Sequence, residues 1–178
     1  MPKGIFTRKV REVIRVVGPS IAYVQLTQGM YSRIDEKDAE YAGKHNWLAL
    51  WNPKTRSFYA VRNVSLPGAK RRSELLHRVV IAATEGVVVD HKDCDTLNNC
   101  GYNLRSATAG ENCRNRRTHQ KNTAGLKGVR FHDHTGKWQA RISCNRRVIS
   151  LGLHATPELA AKAYGEAAKK YHGEYARL

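Results

Sequence analysis

The sequence predicts an α+β protein in two modules, a β-rich one followed by a small antiparallel sheet covered by one helix, and three observations carry that prediction. Runs rich in β-branched and aromatic residues ("EVIRVV", "IAYVQLT", "NWLALW", "SFYAVR") occupy residues 12–62, separated by turn signals. Near the other end, "LKGVRF", "KWQARISC" and "RRVISLGL" alternate with period two, and "TPELAAKAYGEAAKKYHG" then changes to a helical period. Between them "RNRRTHQKNTAG" is polar, basic and without apolar periodicity, which reads as a linker and puts the domain boundary near Asn122.

The first module, residues 1–121, has a β-rich part (1–70) and a second part (71–121) that ends in the basic linker. Residues 12–34 read as short strands, with Gly18-Pro19-Ser20 as a turn between two of them. "DEKDAEYAGKH" allows one or two helical turns, and "NWLALW" and "SFYAVR" form a hairpin across "NPKTR". In "SELLHRVVIAAT", Leu75, Leu76, Val79, Val80 and Ala83 fall at helical spacing, with Ser73 as N-cap and Gly86 as terminator. Next come a strand Val87–Asp90, a long turn, a returning strand "NLRSAT" and a second helix from about Ala107 to Arg117.

In the second module, residues 122–178, Thr156 is a good N-cap, Pro157 suits the first helical position, Glu158 complements the helix dipole and Gly173 closes the helix. One sheet face (Val129, Phe131, Trp138, Ala140, Ile142, Ile149, Leu151) should pack on Leu159, Ala160, Ala163, Tyr164, Ala167 and Tyr171. The opposite face carries Arg130, His132, Gln139, Arg141, Ser143, Val148 and Ser150. Arginine, glutamine and histidine supply the donors that read base edges and bind phosphates.

Composition points the same way. Thirty-one Lys and Arg against 15 Asp and Glu give +16, and the pI is near 10.1. Such an excess attracts polyanions, and nucleic acid is the leading partner. No apolar run is long enough to span a membrane, and no signal core succeeds the basic N-terminus, so the expected location is inside the cell. Four cysteines in a chain of 178 residues do not make a secreted disulfide scaffold and are read as reduced thiols.

The stretch with chemistry in it is "VVVDHKDCDTLNNCGYNLRSATAGENCRNR", residues 87–116. A strand, turn, strand and helix can gather Asp90, His91, Asn103 and Asn112 around one point. Aspartate and asparagine offer hard oxygen ligands suited to Mg²⁺ or Mn²⁺, and a neutral histidine can take a proton from water. Those are the parts that phosphodiester hydrolysis requires.

The residues "LHRVV" (76–80), "VVVDHKDCDTLNN" (87–99), "NLR" (103–105) and "EN" (111–112) resemble the HNH, or ββα-metal, endonucleases, and within them the phage and intron-encoded homing enzymes. The resemblance implies that Asp90 and Asn112 hold one divalent ion, that His91 activates water, and that Asn103 holds the histidine loop by hydrogen bonds. It also implies the cytoplasm of a phage-infected bacterium. Cys94 stands where these enzymes usually have glycine, and a Cβ there alters the turn if the backbone needs a positive φ. Cys94, Cys100 and Cys113 cluster near the motif, but there is no C-x-x-C pair, so free thiols are the preferred reading over a structural Zn²⁺. His77 reads as packing. Arg105, Arg114, Arg116, Arg117 and Lys121 crowd the end of the motif, where they read as phosphate anchors.

Residues 122–178 resemble the three-stranded DNA-binding domain of plant ethylene-response factors, the Apetala-two type, through "KGVR" (127–130), "GKWQARI" (136–142), "SLG" (150–152), "TPELAAKAYGEAAKKYHG" (156–173) and Ala176. That resemblance implies that Lys127, Arg130, His132, Gln139, Arg141, Ser143 and Ser150 face double-stranded DNA. Ser143, Val148 and Ser150 depart from the plant pattern, so the plant target does not transfer. The expectation is a site-directed DNA endonuclease acting as a monomer that nicks, with no protein partner. Two alternatives stay open: a DNA-binding regulator carrying a relic HNH site, and an RNA-binding protein, which ranks last because no aromatic stacking surface is evident.

Overall fold

The computed structural model describes residues 11–15, 20–65, 71–118, 122 and 124–177. They form two compact units, Met1–Ser106 and Ala107–Leu178, in a mixed α+β architecture of small antiparallel sheets. The dividing line falls ahead of the linker cut expected at Asn122. The helix after the motif is tied to the second unit: Lys127 Nζ donates to the Arg114 and Arg116 carbonyls at 2.5 and 2.9 Å, and Arg114 Nη2 donates to Asn145 Oδ1 at 3.4 Å.

In the first unit, β1 (Val13–Arg15), β2 (Ile21–Gln25) and β3 (Tyr31–Asp35) make one antiparallel sheet. The polar segment after β3 does turn helical, ending in α1 (Ala39–Gly43). A second sheet joins β4 (Leu48–Asn52), β5 (Ser57–Val64) and β6 (Arg72–Leu75). The inward residues of these pieces, among them Ala22, Val24, Ile34, Ala60 and Leu76, pack around Trp47, whose indole N–H donates to the Ala42 carbonyl at 3.1 Å. A fully buried indole is stable only with that bond made.

The helix expected over residues 73–85 is a correction. Ser73 is not an N-cap: it lies in β6, where its hydroxyl donates to Asn63 Oδ1 and the strand pairs with β5. The helix proper, α2 (Leu76–Val80), is a single turn. Gly86 does not terminate it. Ala82, at φ 49°, already leaves the helical region, and the Arg78 guanidinium fastens the adjoining loop by donating to the carbonyls of Thr84 (2.7 Å) and Val87 (2.6 Å). Tertiary pairing of "RSEL" with β5 outweighs its helical spacing. β7 (Val88–His91) and β8 (Leu104–Ala107) then pair as a two-stranded sheet.

The second unit opens with α3 (Ala109–Arg114), started by a reciprocal capping box in which Thr108 Oγ1 accepts from the Glu111 N–H and Glu111 accepts from the Thr108 N–H. β9 (Val129–His132), β10 (Lys137–Cys144) and β11 (Arg147–His154) form an antiparallel sheet in the order β11-β10-β9, covered by α4 (Pro157–His172). Thr156 caps α4 by accepting from Leu159 N–H, and Gly173 ends it at φ 55°. Alanines 140, 160, 167 and 168 let helix and sheet approach closely, with Ile142 and Tyr164 filling between them. Two expected core residues are corrected. Phe131 is 44% and Leu159 50% exposed; Phe131 meets the partly buried Trp138, its cross-strand neighbour, edge-on at 5.2 Å. Gly128 is obligatory: at φ 71°, a Cβ would sit 2.1 Å from the Tyr164 ring.

Candidate functional site

The candidate centre of the first unit is the loop between β7 and β8. Its residues 97–99 make one isolated parallel β-bridge to β3: Arg33 N–H donates to the Leu97 carbonyl at 2.8 Å, and Asn99 N–H donates to the Arg33 carbonyl at 2.7 Å. Within the loop Asp93 is the hub. Its Oδ1 accepts from Asp95 N–H (2.8 Å) and Asn103 Nδ2 (2.9 Å), and its Oδ2 from Asn98 Nδ2 (2.6 Å). Burial pushes the Asp93 carboxyl up, but these bonds outweigh it and hold the group below the ordinary aspartate value. Asn103, which unlike Asp93 is buried, donates to the Asn98 carbonyl at 2.8 Å and accepts from Asp93 N–H at 3.1 Å, so one amide stitches both ends of the loop.

His91 is only 5% exposed, at the end of β7. Its Nε2 lies 3.0 Å from Asn99 Oδ1. Chemistry fixes which atom bears the proton. The Leu97 carbonyl can only accept, so Ser32 Oγ donates to it (3.0 Å). Ser32 Oγ therefore accepts from Asn99 Nδ2 (2.7 Å), which turns the amide oxygen toward His91. His91 Nε2 then carries hydrogen, and Nδ1 is the basic nitrogen of the neutral ring. Burial lowers the His91 pKa, with the Asn99 bond and the carboxylates of Asp93, Asp90 and Asp95 opposing it. The ring is packed edge-on by His77 at 5.1 Å, and Tyr59 stands 5.7 Å from His77. Burial drives the His77 pKa down to about 3, so this second imidazole is a neutral wall.

Asp90 is buried, and its Oδ2 accepts from both Arg105 Nε (2.8 Å) and Nη2 (2.7 Å). Arg105, expected as a phosphate anchor, is thus drawn inward as the partner of Asp90. The first unit brings Asp90, His91 and Asn103 together; Asn112 lies half-buried on α3 of the second unit. Oxygen donors from aspartate and asparagine suit a hard divalent ion. Among the described residues no group of three or more His, Cys, Asp or Glu side chains is arranged to hold a metal. Of the cysteines, Cys100 is buried, with its thiol pushed up to about 11 by burial, and Cys113 is exposed on α3. Cys94 has φ 61°, the left-handed conformation in which a Cβ is strained.

The basic residues differ among themselves. Arg116 and Arg117 are exposed, Arg114 is half-buried, and Lys121 lies outside the described residues. Lys127, expected to face DNA, has its ammonium on two carbonyls at and just past the end of α3. On the sheet, Arg130 pairs across from Gln139 and donates to its Oε1 at 2.7 Å, Arg141 stands opposite Ser150, and Ser143 opposite Val148. His132 Nδ1 lies 3.0 Å from Thr135 Oγ1 in the β9–β10 turn. The β10–β11 register shifts between Gln139 and Arg141, where Gly152 adopts φ 101°. That irregularity puts Leu153 opposite Gln139, on the polar face.

Ser32, Tyr59, Asp93, Asn98 and Asn99 escape sequence reasoning. The one local signal for them is the Asp-x-Asp-x-Leu-Asn-Asn run, in which Asp93 and Asp95 accept from N–H groups two residues on. Nothing local marks Ser32, which arrives from 67 residues away.

Comparison with known proteins adds two findings. Residues 124–174 match the family model of the AP2 domain, a DNA-binding domain. Protein 3.8 of Escherichia phage T7 is 30% identical over 94 residues, covering 53% of this chain and 77% of that protein.

Proposed function

The chain belongs to the family of Protein 3.8 of Escherichia phage T7 and carries an AP2 domain, and from that premise we propose that it is a DNA endonuclease of the HNH type whose AP2 sheet contributes to DNA recognition. The observation that carries the catalytic part is His91, buried, neutral, held as one tautomer and set directly after Asp90. In this reading His91 Nδ1 accepts a proton as water oxygen bonds to phosphorus and the bridging P–O bond breaks, and the departing sugar oxygen takes a proton from solvent water. Asn103 and Asp93 hold the loop that presents the ring. Asp90 would be the carboxylate that holds one Mg²⁺ or Mn²⁺ ion, with Arg105 fixing the orientation of that carboxylate; such an ion, when bound, would supply charge stabilisation at the phosphate. The part of Asn112 is read from the metal affinity of Asn112→Ala. With one such centre per chain, a monomer nicks one strand per engagement.

The +16 charge supports a polyanionic substrate. No helix among the described residues is long and apolar enough to cross a membrane. The test is conversion of supercoiled plasmid to nicked circles with and without Mg²⁺. His91→Ala should slow nicking at least about a hundredfold with DNA affinity little changed. A near-normal rate removes His91 from the role. DNA binding without Mg²⁺-dependent nicking leaves the second reading, a DNA-binding regulator with a relic site.

A further inference from the structure

The outer face of the β9–β11 sheet has a composition that solvent alone does not explain. The three strands hold no Asp or Glu, and Arg130, Gln139 and Arg141 supply hydrogen-bond donors on β9 and β10. On the same face, edge strand β11 presents two aliphatic side chains, Val148 at 65% and Leu153 at 43% exposure. Their facing is fixed by register: Val148 pairs with Ser143, and Leu153 with Gln139, which itself pairs with Arg130. Leu153 is there only because the irregularity at Gly152 shifts the strand. A bare edge strand with apolar side chains invites aggregation, and such strands are ordinarily blunted with charge.

Cationic and donor groups beside aliphatic ones match one polyanion surface well. In the major groove of DNA, base edges offer acceptors at guanine and adenine and a single kind of apolar group, the C5-methyl of thymine. The minor groove offers no methyl. We infer that Val148 and Leu153 contact thymine methyl groups, so that the preferred DNA site carries thymine at two positions beside the bases or phosphates met by Arg130, Gln139 and Arg141. This rests on the DNA-binding reading of the AP2 unit and assigns it a base preference.

The experiment uses the full chain in EDTA, so that no strand is cut. A preferred duplex is selected from a random library, and each thymine in it is then replaced singly by deoxyuridine, which removes only the methyl. Affinity should fall about fourfold at two positions, the equivalent of about 0.8 kcal/mol for one buried methyl group. Val148→Ala should abolish the uracil effect at one position and Leu153→Ala at the other, each variant binding the uracil duplex about as well as the unaltered protein does. A selected site whose affinity is indifferent to every uracil replacement overturns the inference while leaving DNA binding intact. A uracil effect that persists in both variants overturns the assignment to these residues. Failure to bind any duplex overturns the DNA-binding reading itself.

Discussion

In the first unit the polar residues of interest, Asp90, His91, Asn98, Asn99 and Asn103, are all buried, whereas in the second Arg130, Arg141, Ser143 and Ser150 stand in solvent over an alanine-rich core. A buried polar group must have its partners in place, since leaving it unsatisfied costs about 1–3 kcal/mol. Each of these side chains is therefore held in one geometry, which is what proton transfer requires. Exposed side chains are held less tightly and can exchange their bonds, such as that of Arg130 to Gln139, for bonds to a ligand. The contrast separates a unit whose polar side chains are fixed inside it from a unit whose polar side chains lie on an open sheet face.

Acid should break this contrast most strongly. The folded pKa of His77, near 3, lies below the unfolded value of about 6.5, so the unfolded chain binds the proton first. Stability of the first unit is full above pH 6.5 and declines as pH falls toward 3, by up to about 4–5 kcal/mol from His77 alone, taking 1.36 kcal/mol per pH unit. His91 adds in the same direction, and Asp93 adds below about pH 4. Hydrogen exchange read by peptide should show residues 20–106 losing protection at mildly acidic pH while α4 keeps it. Equal loss in both units would contradict the argument.

The converse perturbation is Gly128→Ala. The added Cβ meets Tyr164 and the Arg141 carbonyl in a left-handed conformation, which should destabilise the second unit by about 3 kcal/mol and leave protection at Trp47 unchanged. Smaller, and specific to the endonuclease reading, is Asn99. Its bond raises the His91 pKa, so Asn99→Ala should slow nicking about tenfold and move the acid limb of the rate profile to lower pH, whereas Asn99→Asp, placing a carboxylate on Nε2, should move it higher. A rate loss with an unmoved profile would make Asn99 structural only. The smallest effect is Cys94→Gly, which relieves a positive φ and should stabilise the first unit by about 1 kcal/mol in chemical denaturation.

Legibility in the sequence tracked the locality of the causes. The second unit's strands and α4 emerge from periodicity and caps, since Thr156, Pro157 and Gly173 act on their own neighbours. The hairpin of β4 and β5 is equally local. β6 is not: its residues carry helical spacing, and only the facing strand overrules it. Asp90, His91 and Asn103 are visible through a motif, but the orientation of His91 depends on Ser32 and Asn99, and no pattern near His91 encodes a serine from β3. Leu153 escaped for a similar reason, because one irregular pairing at Gly152 reverses the alternation from which a facing is read.

The pairing of residues 97–99 with β3 has a consequence for how the molecule is made. The ribosome delivers β3 long before the loop that docks on it, and the docking contacts close a span of 65 residues. Contacts of such separation form late and slowly. A nascent chain thus carries a sheet edge waiting for its histidine loop, and His91 takes up its fixed orientation only when that loop arrives. Substitutions in β3 that merely loosen the edge should lower the yield of molecules with the loop docked, even though they leave the loop's own sequence unchanged.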